Sequence, residues 1–345
     1  MPRSPIPVEV IFNPNWWFRN YGISFDERFY FDKDRRIEND FRMRRALHER
    51  FGIGEPNPAP RPVVGSMHVA GGFVVPALLG VEIRFSENQA PWPVPRELSR
   101  DETLALKVPQ LDTTWPMNRL IAGMDALEKE FGYVVGDFDT DGVLNTALQL
   151  RGQQLFLDLI EDPELTGHLF TVVARTQALV AAYVASRTGT NSVSANRSIL
   201  NVDPKIYLHG NCSVQMISPA LYKRSLLPHE QYLAGKLPPY GIHHCGNNLH
   251  LFAEAYSQAP VVFYDVGWGS DVARCAAAFP DAFLNLRLSP VRMLQQSPDV
   301  IRRDVEQLLT AAGRTANVGL CSINMDYGTP DRNVLAIFEE VEVFS

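Results

Sequence analysis

The sequence predicts an α/β protein, and within that class a closed (β/α)8 TIM barrel with an N-terminal helical extension. Three observations lead there. Short apolar runs alternate with helical patterns along most of the chain, which favours a parallel sheet with helices packed on it. About eight such units follow residue 60, the number a closed barrel needs. No Gly-x-Gly-x-x-Gly opens any predicted helix, so the phosphate-binding signature of a doubly wound dinucleotide fold is missing.

The elements follow in order. After a proline-rich start, Val8–Phe12 is β-like and runs into Asn13-Pro14-Asn15-Trp16-Trp17-Phe18-Arg19. Trp16 and Arg19 sit there as candidate pocket residues; packing against a helix accounts for the tryptophans equally well. From Asp26 to Phe51 the apolar positions Phe29, Phe31, Ile37, Phe41, Leu47 and Phe51 share a face, so the segment reads as an amphipathic helix whose charges form a solvated face. Four prolines between Gly54 and Pro62 end it, because proline continues neither a helix nor a central strand. This divides the chain into an extension over residues 1–60 and a barrel over residues 61–345.

Barrel strands are read at Val63 to Met67, Leu104 to Val108, Tyr133 to Val135, Lys205 to Leu208, Gly241 to His244, Val261 to Val266, Phe283 to Leu286 and Ala316 to Cys321. The clearest helices run from Pro116 to Phe131, Pro163 to Ser186, Pro219 to Lys236, Leu249 to Gln258, Asp271 to Phe279, Asp299 to Gly313 and Asp331 to Val343.

Composition narrows the function. The 345 residues are 46% hydrophobic, enough for a large core, and the net charge of −7 gives no attraction for phosphate backbones. Without a basic run carrying interleaved aromatics, nucleic acid is not expected as a partner. No apolar run approaches bilayer length and the first residues lack a signal-type apolar region, so the expectation is a cytoplasmic protein without a membrane. Four scattered cysteines are too few for a disulfide scaffold, leaving burial, reactivity or metal binding.

The chemistry concentrates in Gly241-Ile242-His243-His244-Cys245-Gly246. His243 and Cys245 close a predicted strand, and strand alternation sends residues i and i+2 to the same side. Cys321 closes another, about two βα units on. One imidazole and two thiols are a soft donor set for zinc. The plainer alternative is two buried thiols and a core histidine. His244 points the opposite way, unless the register slips by one and makes it the ligand instead.

Asp265 ends the next strand, where it can complete the shell or orient a ligand; a position left to an exchangeable group marks a catalytic zinc. Asp137-Phe138-Asp139-Thr140-Asp141-Gly142 imitates the start of a calcium loop, but its twelfth position is Leu148 rather than a bidentate glutamate. A loop facing the barrel mouth fits better, with Asp137 and Asp139 as substrate contacts. His68, His209, Asn211, Trp268 and Arg287 also fall at or near predicted strand ends, and together supply a polar barrel mouth.

These motifs resemble the uroporphyrinogen decarboxylase superfamily, in particular its cobamide-dependent methyltransferase branch. The resemblance rests on Ile242-His243-His244-Cys245-Gly246-Asn247, on Met216-Ile217-Ser218-Pro219-Ala220-Leu221-Tyr222 with Leu227-Pro228, and on Leu150-Arg151-Gly152 leading to Leu159-Ile160-Glu161-Asp162-Pro163-Glu164. It implies a (β/α)8 barrel and a zinc held by His243, Cys245 and Cys321; from their places in the strand-end segments, Asp265, Asp137 and His244 are the candidate catalytic groups. It further implies methyl transfer between a corrinoid and a thiol or other small molecule. The chain has no Asp-x-His-x-x-Gly corrinoid motif, so the corrinoid is expected on a partner protein. The decarboxylase alternative is weakened where Trp16 to Ile23 keeps Arg19 but has Ile23 in place of the family's second arginine, which removes a bidentate clamp for a polycarboxylate. A non-catalytic corrinoid- or tetrapyrrole-binding barrel is the remaining reading.

Overall fold

The computed structural model describes residues 6–65, 72–190, 193–194, 197–198 and 205–344. Its centre is a curled six-stranded parallel sheet. The strands are β1 (Val8–Phe12), β8 (Tyr207–Gly210), β9 (Tyr240–His244), β10 (Val261–Val266), β11 (Phe283–Leu288) and β12 (Val318–Met325), in the order β1-β12-β11-β10-β9-β8. Chain neighbours are spatial neighbours and the first strand lies beside the last. That is a singly wound arrangement, without the reversal of order that defines a doubly wound sheet. β1 therefore belongs to the sheet itself.

Two further parallel strands, β2 (Val63–Gly65) and β5 (Val135–Asp137), pair with each other. No ladder joins them to the six-stranded sheet among the described residues, so the expected closed barrel is observed in part, as an arc of six strands and a separate pair. Side chains bridge one seam: the Thr140 and Tyr207 hydroxyls are 2.7 Å apart, and Asn145 Nδ2 donates to the Gly210 carbonyl at 3.1 Å. The remaining strands form antiparallel hairpins, β3 (Glu82–Ser86) with β4 (Gln89–Val94) and β6 (Val193–Ser194) with β7 (Arg197–Ser198).

Leu104 to Val108 is not a strand. Ser99 and Glu102 form a reciprocal capping box that starts a helix over Arg100–Ala105, and the residues beyond it are loop. The segment predicted as one helix from Pro219 to Lys236 breaks into Pro219–Ser225 and Leu227–Lys236, because Pro228 cannot donate into a continuous ladder. The helix Pro163–Thr188 is long and apolar enough to cross a bilayer, which the sequence reading did not expect, and most of that apolar stretch is buried inside the fold.

One face of the sheet carries a small apolar plug made by Ile206, Leu208 and Phe263 with Phe283 packed on them. Gly241 makes room for it, since a Cβ there would lie 2.8 Å from Ile206 Cδ1. Toward the C-terminal strand ends the same face turns polar. Gly210, His243, Asp265, Asn285 and Gly319 lie side by side in one register row from β8 to β12. The other face packs on helices, as where Tyr264 stacks on Phe279 with centroids 4.0 Å apart.

Candidate metal centre

Cys212, His243 and Cys245 bring their donor atoms within 4.8 Å of one another. The sheet explains the gathering. β8 and β9 are neighbours with Gly210 opposite His243, so the residues just past both strand ends meet over the sheet. The Asn211 backbone N–H donates to the His243 carbonyl at 2.7 Å, and Cys245 Sγ lies 3.9 Å from the Cys212 carbonyl oxygen.

The group differs from the sequence reading in one member. Cys321 is fully buried on β12, opposite Arg287 on one side and Glu9 on the other, three strands along from β9. Cys212 follows the strand adjacent to β9 and takes its place in the group. Cys212 falls two residues past the end of β8, in a stretch read only for His209 and Asn211.

His243 belongs to the group and His244 does not. His243 Nδ1 is 2.6 Å from Asp265 Oδ2, which leaves Nε2 as its free donor. Asp265 Oδ1 in turn accepts from Asn285 Nδ2 at 2.9 Å. A buried carboxylate behind a histidine fixes its tautomer and ring orientation, the usual support for a metal-ligating imidazole. Asp265 thus stands behind His243 in this structure. His244 has both nitrogens engaged, Nδ1 with the Tyr256 hydroxyl at 2.9 Å and Nε2 with Asn248 Oδ1 at 2.8 Å. Burial pushes its pKa down to about 4, against the Asn248 bond, which favours the charged form.

The two thiols of the group are unequal. The hydrogen bond from Cys212 lowers the pKa of Cys245, helped by His243 and the charge of Arg287 and opposed by burial. The same bond and burial raise Cys212. Cys245 is therefore the favoured thiolate, the form that binds metal. Arg287 is buried, and its Nε has no hydrogen-bond partner among the described residues. A soft N,S,S donor set with a carboxylate-oriented imidazole and a nearby cation fits a divalent zinc ion.

A second buried network, which the sequence did not reveal, braces this site. Glu230 accepts from the Tyr240 hydroxyl at 2.5 Å and from Asn211 Nδ2 at 2.6 Å, with His209 Nε2 at 3.4 Å. Asn211 Nδ2 also lies 3.5 Å from the Tyr256 hydroxyl, the group that holds His244. His209 and Asn211, read as mouth residues, are fully enclosed in this network. Burial lowers the His209 pKa, keeping its ring neutral.

The remaining candidates are scattered. Asp137 accepts from the Phe138 N–H at 2.8 Å and from the Thr190 hydroxyl at 3.3 Å, and Asp139 accepts from the Asp141 N–H at 2.8 Å. Asp141, between Asn145 and Gln149, is pushed up to about 7, by burial first and the charge of Asp139 second. Trp16 is closed into the core, stacked on Phe12 with the Arg50 guanidinium over its ring, rather than lining a pocket. Arg19 is exposed, and Trp268 is half-buried beneath Arg292. His68 lies outside the described residues.

No family model matches the chain, and no curated protein does. Among solved structures, one fold is shared end to end. The chain is similar to a methyltransferase from Methanosarcina mazei. The two superpose with a TM-score of 0.70 at 16% identity, covering 99% of this chain and 95% of the other. At that identity the likeness is one of fold.

Proposed function

We propose that this chain is a zinc-dependent methyltransferase on a (β/α)8 barrel whose closure is completed by β2 and β5. The observation that carries the reading is the Cys212, His243 and Cys245 group with Asp265 bonded behind His243. The fold shared with a methyltransferase supports it. Cys212, His243 and Cys245 would hold the ion, and Cys321, on the same face of the sheet, is the alternative thiol of the resembling family.

Zinc held there would lower the pKa of a thiol bound to it and so supply a thiolate near neutral pH, a nucleophile able to take a methyl group from a carrier that leaves with the bonding electron pair. The chain's own residues do the rest. Asp265 and Asn285 hold the His243 ring in one tautomer, so its Nε2 stays free. Arg287 offsets negative charge gathered at the thiols. Glu230, through Asn211 and Tyr256, keeps the two strand ends in register.

The methyl group comes from, or goes to, a corrinoid on a partner protein, with a small thiol or methylated compound at the other end. The absence of a disulfide among the four cysteines agrees with a cytoplasmic, reducing compartment. Incubating the zinc-loaded protein with methylcobalamin and a panel of small thiols tests this directly. Thioether formation with loss of the methylcobalamin spectrum is expected; a loaded protein that moves no methyl group in either direction contradicts it.

Replacing Asp265 with asparagine separates orientation from ligation. Zinc affinity is expected to fall roughly 10–100-fold without loss of stoichiometry at saturating metal. Competition with a chromogenic chelator measures it. Unchanged affinity would remove Asp265 from the account.

A further inference from the structure

The three donors of the metal centre are not held alike. His243 lies on β9 with Asp265 and Asn285 behind it, and Cys245 is one residue past that strand. Cys212 lies two residues past β8, where the chain leaves the sheet and enters a short 3-10 turn, Ser213–Met216. A donor on such a turn is only as well placed as whatever grips the turn.

One side chain grips it on both sides. Asn145 is buried, on the helix Val143–Arg151 that follows β5. Its Nδ2 donates to the Gly210 carbonyl at 3.1 Å, and its Oδ1 accepts from the Ser213 N–H at 2.8 Å. Those two backbone groups flank Asn211 and Cys212, so one amide makes a bridge across the cysteine. The Gly210 carbonyl can only accept and the Ser213 N–H can only donate, which leaves the Asn145 amide one orientation. Asp141 holds that amide from behind: its Oδ1 accepts from the same Nδ2 at 2.6 Å, and its Oδ2 accepts from Gln149 Nε2 at 3.3 Å. The backbone is cut to fit. Gly142, which caps the helix, sits so close to β8 that a Cβ there would fall 1.7 Å from the Gly210 oxygen. A larger residue would push the start of the helix, and Asn145 with it, off the turn.

We infer that Asn145 is the positioning residue of Cys212: its amide spans Gly210 and Ser213 and so holds the thiol toward His243 and Cys245, with Asp141 keeping the amide in place. The consequence for metal rests on the zinc reading above, whereas the bridge itself rests on the two backbone bonds. The helix after β5, which supplies none of the three donors, thereby helps set the geometry of the centre.

Two readouts on Asn145→Ala test this separately. Amide hydrogen exchange on chelator-treated protein reads the bridge without metal: the Ser213 amide is expected to exchange at least about tenfold faster while the amides of β9 hold. Cobalt(II) added in place of zinc reads the donor, because each cobalt–thiolate bond contributes charge-transfer absorption. With one sulfur of two lost, that band is expected to fall by about half, and cobalt affinity roughly 10–100-fold. Asn145→Asp sets a carboxylate against the Gly210 carbonyl and Asp141, and is expected to lose at least as much of the band. Adding Asp141→Asn to it restores an amide–carboxylate pair and an acceptor for Ser213, and is expected to recover most of the band, which a general loss of stability would not do. Unchanged Ser213 exchange, a full cobalt band in Asn145→Ala, or no recovery by the paired substitution overturns the inference. A parent that takes up no cobalt contradicts the zinc reading instead, and the exchange result still decides the bridge.

Discussion

Cys245→Ser is expected to abolish stoichiometric zinc binding and methyl transfer while leaving the protein folded. Serine is close in size to cysteine, and Cys245 is only half-buried, so packing changes little. What is lost is the sulfur most favoured as a thiolate, which accepts from the Cys212 thiol and would be a ligand of the proposed ion. Removing an outer partner of a metal site costs 10–100-fold in affinity, and loss of a ligand exceeds that, so a fall of more than about 100-fold is expected. Metal analysis after gel filtration measures it. The same assay separates the two other candidate thiols, Cys212 and Cys321. If the group seen here holds the ion, Cys212→Ser behaves like Cys245→Ser and Cys321→Ser retains metal. The reverse pattern would return Cys321 to the shell and leave Cys212 beside it.

Glu230→Ala is expected to be the most destabilising single substitution near the site. Its carboxylate accepts from Tyr240 and Asn211 at 2.5 and 2.6 Å, and the residue is 2% exposed. Removing it strands two buried donors and leaves a cavity, and breaking a buried polar network of this kind costs about 3–5 kcal/mol. Glu230→Gln keeps the volume and one acceptor and is expected to lose roughly half as much. Urea unfolding measures both. If Glu230→Ala unfolds within about 1 kcal/mol of the parent, the network does not brace the strand ends.

Part of this was legible in the sequence for physical reasons. Val8–Phe12 and Val261–Val266 are observed with the predicted bounds, because short runs rich in β-branched and aromatic residues, each holding a single carboxylate, have few alternatives. Strand alternation favoured His243 over His244 but left the register open, and the pairing of β9 with β8 and β10 fixes it. Other features depend on what packs beside them. Glu230 and Arg36 sit in charged, amphipathic helices and read as solvated, yet each is buried by elements far away in the chain. The charges of the Lys33–Phe51 helix are accordingly not all a solvated face: Arg36, Asn39 and Asp40 are enclosed. Cys212 was passed over because neighbouring strands, not sequence spacing, bring it to Cys245. The capping box at Ser99 was readable and outweighs the β-like run after it.

The central claim is a zinc centre at the end of β9, and X-ray absorption at the zinc edge tests it most directly. In protein purified without added metal, the account predicts about one zinc per chain. It also predicts sulfur scatterers near 2.3 Å, together with an imidazole nitrogen at about 2.0–2.1 Å. Protein without zinc, or a shell of oxygen and nitrogen alone, would contradict it.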